Sequence, residues 1–119
     1  MDLFKSDTGI VYLEDQHYLS KVYAQIIRDF EMTGLDVEWN VASPESYTEL
    51  FEALYYHINR LVLSGDSHFK NLLYRIDVSE KRIHQRMITL DESKLDIVLT
   101  KMIIERCLQK VVTREKFSS

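Results

Sequence analysis

From residue 13 onward the apolar positions Leu19, Tyr23, Ile26 and Phe30 recur at steps of four, three and four, and Val22 and Ile27 widen the stripe. This is the spacing of one buried helical face, and it predicts a first helix from about Leu13 to Gly34, a glycine suited to a C-terminal cap. The next seven residues, LDVEWNV, alternate apolar and polar and taken alone would read as a half-buried strand. A lone strand has only GIVYL near the N-terminus to pair with, so residues 35–42 are expected to form an extended connection. In that role Leu35, Val37 and Trp39 pack over the helices, and Trp39 plugs the edge of the core.

ASPESYTEL carries two solutions for a helix start: Ser43 as cap with Pro44 in the first position, or Ser46 with Glu49 as a capping box. Behind it Tyr47, Phe51, Leu54, Ile58 and Leu61 repeat the rhythm of the first helix, until Gly65 breaks it. Two hydrophobic staples follow, Val78 with Ile83 around the cap Ser79, and Leu90 with Leu95 around the cap Asp91. They place helices at roughly 67–77, 79–89 and 91–116. In the last of these, Leu95, Ile97, Val98, Leu99, Met102, Ile103 and Ile104 leave almost no polar face, so its first half is expected to be central. Past Glu105 it turns amphipathic, with Arg106, Lys110 and Arg114 in a basic i, i+4, i+8 row beside an apolar edge.

The expected fold is therefore all-α: one domain over residues 1–119, a helical bundle of about five helices with a long C-terminal helix and the one extended connection. Three glycines and one proline in 119 residues agree with long regular segments. Apolar content of 45% is enough to bury a core without disulfides or metals. The lone Cys107, in an apolar helical setting, is expected to be a buried, inert thiol. Asp2 and Asp7 stand where a secretory leader carries basic residues, and no run approaches the roughly 20 apolar residues of a membrane span. Cytoplasmic location follows as the expectation.

Net charge is −4 and unevenly divided. Residues 1–62 hold eleven carboxylates against four cations, whereas residues 63–119 hold eleven cations against eight carboxylates. The ordinary reading is that the halves complement each other within the fold or between subunits; the sharper one is that the basic half meets a polyanion.

The stretch LLYRIDVSEKRIHQRM has spacing close to that of a helix-turn-helix, which would span 69–89. Leu73 stands where a small residue belongs, Asp77 at the usual glycine, and Arg86 where an apolar residue faces the core. Three departures in one motif argue against DNA reading, although Lys81, Arg82, Gln85 and His84 would suit a groove. The four histidines lie far apart, and the one Glu-x-x-His, Glu14 to His17, lacks the second copy a di-iron bundle needs. Glu49 and Glu52 sit beside Tyr56 and His57 on a helix flank, where surface carboxylates are the ordinary case. No phosphate loop, G-x-S-x-G elbow or CxxC occurs. No cofactor or metal is expected, and no enzymatic activity.

At LLYRIDVSE and IIERCLQKVVTRE the chain resembles a family of small, uncharacterised, all-helical bacterial proteins in which an LYRIDVSE-like turn precedes a final helix of IIER-x-LQKV type. The resemblance covers chiefly residues 72–80 and 103–116. It implies a helical fold and a bacterial, cytoplasmic setting, with no activity and no site residue to carry over. The leading expectation is a small non-catalytic interaction or regulatory protein. It would dock an unknown protein partner, or a second copy of itself, through Arg106, Lys110 and Arg114 of the C-terminal helix. The alternative is a DNA-binding protein contacting duplex through Lys81, Arg82 and Gln85; the third is a helical-bundle enzyme or metal protein.

Overall fold

In the computed structural model, residues 11–89 and 94–117 are described. They form five helices and no strand: α1 Gln16–Met32, α2 Tyr47–Ser64, α3 Ser67–Ile76, α4 Glu80–Thr89 and α5 Leu95–Phe117. The second predicted staple, around Leu90 and Asp91, lies outside the described residues, as do Gly9 and Ile10 of GIVYL.

Each boundary has a local cause. α1 begins three residues later than the apolar stripe because the Asp15 carboxylate takes the His17 N–H and caps the helix there. It ends as expected: Gly34 adopts φ +80°, and Leu35 N–H returns to the Phe30 carbonyl at 3.0 Å. Gly34 also lies close to α3, since a Cβ there would sit 3.2 Å from the His68 ring. Of the two starts open to α2, Ser46 is the one used. Its hydroxyl accepts from Glu49 N–H at 3.1 Å, while the Glu49 carboxylate reaches back to Glu45 N–H at 2.7 Å, one residue beyond the usual capping box. Gly65 (φ +67°) closes α2, and Asp66 caps α3. Ser79 caps α4 through Arg82 N–H, with Val78 and Ile83 both packed into the core as the staple requires.

α5 is the axis, touching all four other helices. Val98, Leu99, Met102, Ile103, Ile104, Cys107, Leu108, Val111 and Val112 are buried along it, against Leu19, Val22, Ile26 and Phe30 of α1 and Leu50, Leu54 and Ile58 of α2. Leu95, expected inside, is 39% exposed because it stands in the first turn, before the helix enters the bundle. Asp96 pins that turn instead: its carboxylate accepts from Asn59 Nδ2 at 2.6 Å and Tyr55 Oη at 3.1 Å on α2. Residues 35–42 are the extended connection that the alternation and the missing partner strand implied. Leu35 is buried, and the half-buried Trp39 meets Phe30, Tyr23 and His57 edge-on. α4 is the outlier, with none of its residues fully buried and only Ile83 and Met87 packed against the core.

Candidate docking surface along the C-terminal helix

The basic row of α5 is not uniformly free. Its first two members face the end of α3, whose last carbonyls lack helical partners and carry the negative end of the helix dipole. Arg106 Nε donates to the Ile76 carbonyl at 3.3 Å, and its Nη2 lies 3.3 Å from the Asp77 carboxylate; Gln109 takes another of its donors. Lys110 Nζ reaches the Arg75 carbonyl at 3.4 Å. Asp77, the cap itself, sits at φ +66°.

Beneath this row lies a buried acid that the sequence reading did not single out. Asp29 of α1 is wholly inaccessible, yet every bond it needs is supplied. Arg75 Nε is 2.8 Å from Oδ1 and Gln25 Nε2 3.1 Å; Lys110 Nζ is 3.5 Å from Oδ2 and the Cys107 thiol 3.6 Å. A buried carboxylate is tolerated only with such partners. The available signal was positional: Gln25 and Asp29 stand four apart, each next to a stripe residue, Ile26 and Phe30. Burial pushes the Cys107 thiol far up, with Asp29 adding to the effect, so it stays protonated as an inert thiol should.

The third member of the row differs. Arg114 leaves the α3 end and contacts Gln25 Oε1 across a groove between α1 and α5. Ala24 and Val111 form the apolar part of this groove, and Lys21, Arg28, Arg114 and Glu115 surround it, in a volume of about 270 Å³. Glu115 is matched from within, by His17 Nε2 at 2.7 Å and Lys21 Nζ at 2.8 Å, and the Lys21 and His17 bonds hold its carboxyl below the ordinary range. Arg28 and Arg114, both exposed, have no carboxylate partner among the described residues.

On α4, Lys81, Arg82, His84 and Gln85 are exposed. Two of the three departures from a helix-turn-helix change meaning here. Asp77 takes the positive φ for which glycine is usual, and Val78 N–H closes the turn on the Leu73 carbonyl at 2.8 Å. Arg86 does point inward, as an apolar residue would, and forms a two-pronged ion pair with Glu105 of α5 at 2.6 and 2.8 Å. Leu73 remains bulky where a small residue belongs.

The other chemical candidates are not brought together. Glu14 and His17 do not converge, since His17 pairs with Glu115; Glu49 is a cap and Glu52 is exposed, away from the buried His57. Among the described residues no group of three or more His, Cys, Asp or Glu is placed to hold a metal ion. No helix among them is long and apolar enough to cross a membrane. No family model, curated protein or solved structure matches the chain.

Proposed function

We propose that the protein is a non-catalytic docking protein that receives an acidic, apolar-bearing segment of a partner protein in the groove between α1 and α5. One observation carries the reading: in a chain of net charge −4, two exposed guanidinium groups, Arg28 and Arg114, flank an apolar patch and have no carboxylate partner among the described residues. An acidic segment supplies what they lack, and guanidinium suits bidentate capture of carboxylates. The volume, about 270 Å³, falls just under the ~300 Å³ at which small-molecule pockets begin and fits one anchoring side chain of a peptide. Relative to the whole row Arg106, Lys110 and Arg114, the docking surface moves toward α1, because Arg106 and Lys110 hold the α3 end. The test is fluorescence anisotropy with a labelled amphipathic peptide bearing leucines on one helical face and glutamates beside them. Saturable binding that weakens with added salt supports the reading, and no binding at low salt overturns it.

One observation favours a second reading, duplex DNA on α4. The turn before it is built with the positive φ of a helix-turn-helix, at Asp77, and it leaves Lys81, Arg82 and Gln85 exposed. On this reading Lys81→Ala with Arg82→Ala weakens duplex binding and flattens its salt dependence. Lack of duplex binding at low salt removes it.

A further inference from the structure

One of the buried polar groups that the docking groove does not use is His57 on α2. It is 7% exposed and lies beneath the extended strap of residues 35–42. Its ring meets Trp39 edge-on at 4.5 Å between centroids, with Phe30 of α1 behind at 6.3 Å and Tyr56 beside it at 5.3 Å. The main chain of Glu38 acts on the same ring, favouring its charged form, so one imidazole meets the strap's aromatic anchor and feels its backbone. The strap has a second tie in the Tyr23 hydroxyl, which donates to the Val41 carbonyl. Next to His57 opens a cleft of about 410 Å³ that Asp36, Glu38 and Asn40 of the strap share with Tyr56, Arg60 and Ser64 of α2.

We propose that His57 is a latch that holds the Trp39 strap closed while its ring is neutral and releases it when the ring is protonated, widening the cleft beneath.

The charged surroundings set the direction. From α2, Arg60 opposes a second positive charge, and its guanidinium is already engaged with the Tyr56 hydroxyl at 2.6 Å. From α1 the neighbour is Phe30, which brings neither a charge nor a hydrogen-bond acceptor to an imidazolium. From the strap come the Glu38 main chain, which favours the charged ring, and the Asp36 and Glu38 carboxylates, which line the cleft from exposed positions. Desolvation by burial is the largest influence and, with Arg60, keeps the pKa below its ordinary 6.5. A folded-state pKa below the unfolded one means that the closed strap is fully favoured above that ordinary value and loses support as pH falls through the lower folded value. Opening moves the imidazolium into water, which relieves the cost.

Trp39 is the only tryptophan in the chain and so reports on its own strap. Tryptophan-selective fluorescence of the full chain is recorded from about pH 7.5 to about pH 5, with far-ultraviolet circular dichroism alongside. The expected result is a red shift of Trp39 emission and a several-fold rise in quenching by acrylamide, with helicity unchanged. In His57→Phe, which keeps a ring under Trp39 but cannot titrate, both signals stay flat; His57→Gln, which keeps a neutral donor, is flat as well. A dimming of Trp39 without shift or added acrylamide access overturns the proposal, because a nearby imidazolium quenches indole without any movement. A red shift that persists in both variants, or one that coincides with loss of helicity, overturns it too.

Discussion

Two regions that share α5 use cations in opposite ways. At the end of α3, Arg75, Arg106 and Lys110 converge on backbone carbonyls, on Asp77 and on the buried Asp29, and each has an acidic or carbonyl partner. One helical turn further along α5, Arg114 and, across the groove, Arg28 of α1 form no ion pair with a carboxylate among the described residues. In sequence Arg106, Lys110 and Arg114 look equivalent. The difference lies in what stands opposite: an open helix end and a buried acid in one case, an amide and an apolar floor in the other. Charge that completes a fold and charge left for a partner can therefore occupy a single periodic row.

The comparison is broken hardest from its inner side. Arg75→Met together with Lys110→Met leaves the Asp29 carboxylate buried with only an amide and a thiol for company. Removing the partners of a buried charge costs about 3–5 kcal/mol; both cations retain solvent contact, at 35% and 28% exposure, so the lower end, ~3 kcal/mol, is expected in urea denaturation. Asp29→Asn leaves the cations able to turn to water, so it costs less, about 1–2 kcal/mol.

A smaller effect separates the groove from the start of α5. Asp96→Ala removes the bonds from Asn59 and Tyr55 and costs about 1 kcal/mol. Here pH gives an independent check. Asn59 above all, then Tyr55 and Ile97 N–H, hold the Asp96 carboxyl below its ordinary 3.8 despite some desolvation. Its contribution to stability is thus present above that ordinary value and lost as pH falls through the lower folded one. The acid limb of the stability curve should be shallower in Asp96→Ala than in the wild type. Smallest of all, Arg28→Glu with Arg114→Glu should change stability by under ~0.5 kcal/mol, the usual range for surface positions.

How much of this could be read beforehand follows from which forces are local. Apolar period and capping chemistry are local, so α1, α2, the Ser79 cap, the Gly34 and Gly65 stops and the buried thiol at Cys107 were all legible. So was the extended strap, because an alternating run without a partner strand has nothing to pair with. Contacts between distant segments were not. Asp29 looks like an ordinary polar residue on the flank of a stripe until α3 and α5 bring Arg75 and Lys110 to it across 46 and 81 residues. The same holds for Arg106, whose partners Ile76 and Asp77 are 30 and 29 positions away. At Asp77 the helix-turn-helix pattern calls for a glycine that the turn does not need, since aspartate tolerates the left-handed conformation and Arg106 holds its carboxylate.

The most direct measurement titrates the labelled acidic peptide against three proteins in parallel, with the thermal midpoint of each recorded: wild type, Arg28→Glu with Arg114→Glu, and Lys110→Met. The account predicts that the groove pair loses at least about tenfold in affinity, ~1.4 kcal/mol, with an unchanged midpoint. Lys110→Met should bind like wild type while melting lower. Undiminished binding in the groove pair, or a Lys110→Met protein of full stability that no longer binds, would contradict the division of this row into fold-completing and partner-facing charge.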